Sequence, residues 1–207
     1  MAFGSYQTVG EAIRAFEVTA ITEPFIQPTS LPVREHFRRD LDARLSNTPV
    51  TCSEWAVCEN LINPVLQEVL QNYRQFLTIW SHVPLYDGDR LLGTPDYIIA
   101  KRSPLSFEVM DMPLAMIMEA KRNDFDMGWG QCLAAMHGAQ TLNKEAQRII
   151  YGGVSDGFIW RFGKLQGKTF NRHPQPYDIS RLDELFAALN YVLQLCKQQV
   201  LSPAAAA

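Results

Sequence analysis

The segment 114–122 is the feature that most constrains the fold, because it is apolar on both of the faces that a β-strand would present. A strand of this kind lies in the centre of a sheet that is covered on each side. The run ends in Glu119 and Lys121, which share one face and lie about 7 Å apart along a strand. Charged groups in such a run are costly to desolvate unless they are paired or bind something. The segment therefore predicts a central strand whose C-terminal end carries a functional site.

A second apolar run, at 91–100, also contains a carboxylate. Gly93 and Pro95 interrupt its start, and Asp96 then shares a face with apolar residues of the same run. This pattern predicts another buried strand. We expect Asp96 and Glu119 to converge at the ends of neighbouring strands.

Hydrophobic periodicity predicts the other elements. Apolar residues at three- and four-residue spacing indicate helices over 9–16, 35–45, 51–73, 127–142 and 180–200. Alternating or continuous apolar runs bounded by turns indicate strands over 76–85, 90–101, 113–122, 148–154, 157–162 and 168–170. Short turns between strands favour antiparallel pairs, whereas a strand reached across a helix favours a parallel pair. The order predicts an α/β fold with a mixed central β-sheet flanked by helices.

The composition argues against several classes of protein. Of the 207 residues, 47% are hydrophobic and 20% are charged, which is typical of a globular domain with an ample core. No run approaches the roughly 20 apolar residues of a membrane helix, and the N-terminus lacks the pattern of a signal peptide. The cysteines contain no Cys-x-x-Cys pair, which argues against a disulfide framework or a structural zinc site and favours a cytoplasmic protein. The net charge of −3 argues against a broad, non-specific nucleic-acid platform.

Glu54, in the predicted helix 51–73, has two interpretations. It lies near the edge of the apolar stripe, where its carboxylate would be a candidate ligand that points toward the sheet. It also stands three residues after Thr51, as in a capping box in which the glutamate accepts a hydrogen bond from a free backbone N–H. The residues alone leave both interpretations open.

Carboxylates that converge at strand ends form a hard oxygen site, which prefers Mg²⁺ or Mn²⁺ to zinc when no thiolates or paired histidines are at hand. Such an ion takes phosphate oxygens readily and acidifies a bound water. Lys121 would orient or deprotonate that water, or stabilise a charged transition state. The pattern thus favours metal-dependent hydrolysis.

Here the residues resemble a known family. The pattern Pro95-Asp96, with Glu119-Ala-Lys121 23 residues after the aspartate, is similar to the PD-(D/E)XK nuclease superfamily. The preceding helix with Glu54 and the following Gly-Gln131 at a helix start also match. The combination most resembles the N-terminal nuclease domain of type I restriction enzyme subunits.

The resemblance implies a role for each residue at a matching position. Glu54, Asp96 and Glu119 would be metal ligands for Mg²⁺ or Mn²⁺, and Lys121 the catalytic lysine. Gln131, together with Asp96, Glu119 and Lys121, would complete the catalytic site. The resemblance covers about 51–165 and implies a restriction-endonuclease-like core. We place the nuclease domain at 51–200, after an N-terminal extension at 1–50 that packs on the core and before a disordered tail at 201–207.

Each site residue also has a plain structural interpretation. Glu119 and Lys121 would be an ordinary salt bridge at a strand end, worth little if exposed. Asp96 would be a carboxylate beside a turn that follows a proline. Gln131 falls off the apolar stripe of its own helix and would be a solvated residue of the first turn.

A basic and aromatic stretch suggests nucleic-acid binding. Between 156 and 178 no acidic residue occurs, and basic and aromatic side chains alternate. On a hairpin they would contact phosphates and stack on bases, although the residues slightly favour a solvated hairpin with core aromatics. The candidate nucleic-acid contacts are Arg122, Arg161, Lys164, Lys168 and Arg172.

Taken together, the sequence predicts a Mg²⁺-dependent nuclease that hydrolyses phosphodiester bonds, with DNA favoured over RNA. The alternative is a nuclease-fold protein without catalysis that acts as a nucleic-acid-binding or assembly module. A metal-dependent hydrolase of small molecules is a third interpretation, because a carboxylate site for a hard metal does not determine the substrate. A homodimer is compatible with the resemblance, since double-strand cleavage by small nucleases often uses two sites, but no stretch of the sequence indicates one.

Overall fold

A computed structural model describes residues 3–122 and 124–202, with only the backbone described at position 91. Its strands are β1 Thr19–Thr22, β2 Leu77–Ser81, β3 Leu85–Asp87, β4 Arg90–Gly93, β5 Tyr97–Arg102, β6 Met110–Ala120, β7 Ile150–Ser155, β8 Ile159–Gln166, β9 Thr169–Arg172 and β10 Tyr177–Asp178. Its α-helices are α1 Val9–Phe16, α2 Glu35–Asn47, α3 Glu54–Val57, α4 Asn63–Leu70, α5 Phe125–Asn143 and α6 Leu182–Leu201. A wider helical turn, Cys58–Ile62, joins α3 to α4.

Within the described residues, the main sheet has eight strands in the order β1-β9-β8-β7-β6-β5-β2, and β10 pairs with β8. The pairs β6–β7 and β1–β9 are parallel and the other pairs are antiparallel. Helix α5 makes the crossover between the parallel strands β6 and β7. This topology confirms the predicted α/β fold with a mixed central sheet.

Helices cover both faces of the sheet. One apolar cluster packs α2, α4 and α6 on one face, and a second packs α1 and α5 on the other. Residues 114–120 of β6 are all buried, as expected for a strand apolar on both faces. No helix in the described part of the chain is long and apolar enough to cross a membrane.

The predicted strand 90–101 is two strands, β4 and β5, because the chain turns between them. Gly93 there has φ 152°, and a Cβ on it would lie 2.3 Å from the Phe3 ring. Only glycine allows this backbone and this close approach. Pro95 then leads directly to Asp96 and the start of β5.

Two helices do not begin with the Ser or Thr residue that opens the predicted helical segment. Ser53, not Thr51, caps α3: its hydroxyl accepts the Ala56 N–H at 3.0 Å. Ser180 does not cap α6, since the preceding turn begins at Asp178, whose carboxylate accepts the Ser180 N–H. The first cap places Glu54 on the first residue of α3, so the capping-box role is excluded.

Residues of the predicted N-terminal extension contribute to the sheet and its helical cover. Strand β1, which the sequence analysis did not predict, pairs in parallel with β9, and α1 packs on α5. At the other end, α6 continues to Leu201, and 203–207 of the predicted tail lie outside the described residues.

Candidate active site

Two carboxylates lie side by side where β5 begins and β6 ends. The register pairs Tyr97 with Met118, which places Asp96 beside Glu119. One oxygen of Asp96, Oδ2, accepts the backbone N–H of Ala120 at 2.7 Å. That bond fixes the Asp96 carboxylate against the end of β6. Convergence of the two carboxylates is therefore built into the strand pairing.

Glu119 is 4% exposed, which is unusual for a carboxylic acid. Burial raises its pKa well above the usual range, and the charge of Asp96 and a hydrogen bond to Asp96 raise it further, against the attraction of Lys121. A buried acid in this state is costly to ionise unless a cation compensates its charge. The pair thus favours a cation at this position.

Lys121 contacts the third carboxylate. Its ammonium Nζ lies 2.8 Å from Glu54 Oε1, a pair separated by 67 residues in the sequence. Burial alone would lower the pKa of Lys121, but the hydrogen bond to Glu54 and the charges of Glu54, Asp96 and Glu119 raise it overall. Lys121 is therefore cationic at neutral pH in the absence of a metal.

The first turn of α5 packs directly on Lys121. Asp124 begins this helix by accepting the Met127 N–H at 2.9 Å. A Cβ on Gly128 would lie 2.5 Å from Val154 Cγ1 and 3.1 Å from Lys121 Cγ. Glycine at this position allows the helix to approach β6 and β7 closely, and the helix in turn confines the lysine stem.

Gln131 lies one turn further along α5 and is half-buried. Among the residues that the structure describes, its side chain makes no hydrogen bond with Asp96, Glu119 or Lys121. The structure therefore brings together Glu54, Asp96, Glu119 and Lys121, and does not link Gln131 to them.

His82 contacts the site, and the sequence analysis did not identify it as a site residue. Its Nε2 lies 3.2 Å from Asp96 Oδ1, and its Nδ1 lies 2.8 Å from Ser81 Oγ. The Trp55 ring packs on the imidazole with centroids 4.3 Å apart. In the sequence, His82 is recognisable only as a polar residue directly after the apolar strand β2. Its position beside Asp96 becomes visible only from the pairing of the strands.

Cys58 is the other neighbour that the sequence analysis missed. It is buried beside the Asp96–His82 pair, and Tyr97 donates a hydrogen bond to its carbonyl oxygen at 3.1 Å. Burial raises the pKa of the Cys58 thiol to about 12, and the charge of Asp96 adds to that shift. The thiol is therefore neutral at physiological pH.

Arg161 and Arg172 lie on the same sheet face as Glu119 and line one cavity of about 220 Å³. Strand pairing runs from Glu119 to Val154 and from Val154 to Arg161, so about 10 Å separates the carboxylate strand from Arg161. Arg161 stacks over Phe125 at 4.8 Å. Within the described residues, Arg172 Nε is buried without a hydrogen-bond partner. The cavity therefore presents cationic groups that have no carboxylate partner among those residues.

The other candidate basic residues lie elsewhere. Lys164 is on the opposite sheet face, 5.1 Å from the Phe25 centroid. Lys168, beyond the end of β8, donates to the Phe16 carbonyl oxygen at 2.6 Å. Arg122 is exposed and donates to the Cys52 carbonyl oxygen at 3.4 Å. The five basic residues therefore occupy more than one surface.

The donor set fits a hard divalent cation. Glu54, Asp96 and Glu119 offer carboxylate oxygens, the ligand type that Mg²⁺ and Mn²⁺ prefer. One such ion would offset the burial and the charge of Asp96 that together raise the pKa of Glu119. No protein-family model matches the chain, and no curated protein sequence is significantly similar to it.

Proposed function

We propose that this chain is a Mg²⁺- or Mn²⁺-dependent nuclease that hydrolyses phosphodiester bonds in DNA. The observation that carries the proposal is the convergence of Glu54, Asp96, Glu119 and Lys121. These residues come from three separate segments of the chain, and one of them is a buried acid with a costly charge. Structural salt bridges rarely require such an arrangement.

Asp96 and Glu119 would hold the cation, with Glu54 as a third ligand once it exchanges Lys121 for the ion. Bound there, Mg²⁺ would supply Lewis acidity toward a phosphate oxygen and lower the pKa of a water. Helix α5 confines Lys121 beside the carboxylates. Its amino group would orient the attacking water, and as an ammonium it would stabilise negative charge on the phosphate. Asp96 is held by the Ala120 N–H, which keeps its carboxylate aimed at the same place.

A nucleic-acid substrate is supported by the cavity lined by Arg161 and Arg172. It lies on the same sheet face as the carboxylates, about 10 Å along the row of paired strands. Guanidinium groups without an acidic partner suit phosphate oxygens. The cavity would hold a backbone phosphate beside the one that is cleaved. Because the net charge is −3, such local cations are needed to offset the field of the whole protein.

Cleavage of plasmid and linear DNA, with and without Mg²⁺ or Mn²⁺, tests the proposal. Glu119→Gln and Lys121→Met should each lower the rate at least about 100-fold, the scale expected for loss of a group that stabilises the transition state. Two matched controls should retain activity: Glu59→Gln, an exposed carboxylate near Glu54, and Lys101→Met, which is paired with Asp111 at the far end of β5.

Cleavage that persists in Glu119→Gln would refute this site. An inactive wild type on DNA and RNA with both metals would refute the enzyme proposal. Calorimetry of Mg²⁺ and Mn²⁺ binding by the same variants would then decide whether the carboxylates bind a cation at all.

The contact between His82 and Asp96 favours a second candidate, a catalytically silent module that binds nucleic acid. In this contact His82 Nε2 faces Asp96 Oδ1, an oxygen that would otherwise bind the metal. This candidate predicts that the wild type binds DNA through Arg161 and Arg172 without cleaving it. DNA binding measured in EDTA, together with the cleavage assay, separates the two candidates.

A further inference from the structure

Three side chains of different chemistry meet beside the carboxylate pair. Cys58, His82 and Asp96 each offer one ligand atom, and these atoms all lie within 4.8 Å of one another. The residues come from the turn that follows α3, the end of β2 and the start of β5. Their separation in the sequence explains why no zinc motif is visible there.

The surrounding bonds hold these side chains in place. Ser81 Oγ binds His82 Nδ1 at 2.8 Å, which leaves Nε2 facing Asp96 at 3.2 Å. The backbone N–H of His82 donates to the Asp96 carbonyl oxygen at 2.9 Å. The imidazole of a metal-binding histidine is commonly oriented in this way by a hydrogen bond to its other nitrogen.

The backbone of His82 is also unusual. Its φ of 53° is in the left-handed region, which is costly for a residue with a side chain. This backbone turns the imidazole back toward Asp96, with Trp55 packed on its outer side. The placement is thus determined by several neighbours at once.

A thiolate, an imidazole and a carboxylate form the donor set of zinc sites, not of Mg²⁺ sites. Tetrahedral Zn²⁺, with bonds of about 2.0–2.3 Å, would place its ligand atoms roughly 3.3–3.8 Å apart. The widest pair here would therefore have to close by only about 1 Å. The partial exposure of His82 and Asp96 gives an ion access from solvent.

We propose that Cys58, His82 and Asp96 bind one Zn²⁺ ion, which replaces the direct contact between His82 and Asp96. On binding, the Cys58 thiol releases its proton to solvent. The proton on His82 Nε2 is also exchanged to solvent, and the neutral imidazole that binds the ion carries its single N–H on Nδ1, where Ser81 Oγ accepts it. The site does not depend on the proposed nuclease activity. A consequence for catalysis does rest on the proposed function. Because Zn²⁺ would occupy Asp96 Oδ1, it should inhibit Mg²⁺-dependent cleavage.

Cobalt titration tests the site directly, because Co²⁺ takes zinc sites and reports thiolate ligation by a charge-transfer band in the near ultraviolet. The full-length protein should bind one equivalent of Co²⁺ with this band and with visible bands of tetrahedral intensity, and Zn²⁺ should displace it. Cys58→Ser should lose the charge-transfer band. His82→Asn should weaken binding about tenfold or more, and it keeps the fold because asparagine tolerates the left-handed backbone.

Cys52→Ser is the matched control, since Cys52 is an exposed thiol six residues before Cys58. It should leave the titration unchanged. No charge-transfer band in the wild type, a band that persists in Cys58→Ser, or a band lost in Cys52→Ser would each overturn the proposal. Circular dichroism of each variant separates loss of the site from loss of the fold.

The inhibitory consequence has its own test. Zn²⁺ should inhibit cleavage by the wild type, and His82→Asn should require at least about tenfold more Zn²⁺ for the same inhibition. Cobalt binding without any cleavage would refute the nuclease alone. Cleavage without the cobalt signal would refute the zinc site alone.

Discussion

Gly128→Ala tests the close approach of α5 to the site. The new Cβ would lie 2.5 Å from Val154 Cγ1, whereas carbon atoms in contact are about 3.5–4.0 Å apart, so roughly 1 Å of displacement is required. Overpacking of this kind costs about 1–3 kcal/mol. Alanine in place of glycine in a helix stabilises the folded state by about 1 kcal/mol, because its helix propensity is higher. We expect net destabilisation by about 1 kcal/mol, measured as a lower urea midpoint with an unchanged slope.

The control is Gly10→Ala in α1, where the nearest atom to the new Cβ is Arg14 Nη2 at 3.8 Å. Here alanine brings its higher helix propensity and no overpacking. The substitution should therefore stabilise the protein by about 0.5–1 kcal/mol. The difference between the two substitutions isolates the packing cost of about 1–3 kcal/mol.

Val154→Ala should rescue Gly128→Ala, since it removes the atom that clashes. The double variant should be more stable than the sum of the single effects by about 1–3 kcal/mol. Cleavage should fall about 100-fold in Gly128→Ala, because Lys121 Cγ lies only 3.1 Å from the new Cβ and would be displaced. Strict additivity in the double variant, or a Gly128→Ala protein as stable as Gly10→Ala, would refute the reasoning.

Three further substitutions test other parts of the molecule. Glu119→Gln should stabilise the metal-free protein at about pH 8 but not at about pH 4, as urea midpoints in EDTA would measure. Burial raises the pKa of Glu119, so the acid destabilises the fold as the pH rises through that raised value, and a loss of stability at about pH 8 would contradict this. Tyr73→Phe should lower the free energy of unfolding in urea by about 1–2 kcal/mol, since it leaves the buried Asn190 Oδ1 without its 2.6 Å hydrogen bond. The control Tyr86→Phe, at an exposed tyrosine, should be neutral. Equal effects of the two substitutions would contradict a stabilising role of the Tyr73–Asn190 hydrogen bond. Arg172→Gln should weaken DNA binding and reduce its salt slope by about 1, measured by fluorescence anisotropy, and an unchanged slope would exclude a phosphate contact.

The sequence predicts those parts of the fold that depend on local pattern. Strand β6 was predictable because residues 114–118 are all apolar, a pattern typical of a buried central strand. Helices α1, α5 and α6 were predictable from their apolar spacing. Strand β1 was not, because its four residues are mostly exposed and its extended form depends on pairing with β9, about 150 residues later.

The candidate site was predictable for a similar reason, and only in part. Asp96, Glu119 and Lys121 could be placed because each interrupts or ends an apolar run. Glu54 could not be assigned, since its role depended on whether Thr51 or Ser53 begins the helix, a choice of two residues that periodicity does not resolve. The contact of His82 with Asp96 depends on a left-handed backbone at His82 and on the register of β2 with β5. Neither feature can be recognised from the amino-acid sequence.

The two proposed metal sites share the Asp96 carboxylate, and that sharing has a thermodynamic consequence. If Mg²⁺ and Zn²⁺ compete for Asp96, each ion must lower the apparent affinity of the other by the same factor. His82 then decides the balance. Its contact with Asp96 must break for either ion to bind, but only Zn²⁺ gains the imidazole as a ligand in return. Removal of this imidazole in His82→Asn should therefore weaken Zn²⁺ binding and strengthen Mg²⁺ binding in the same protein, opposite shifts that a loss of structure would not produce.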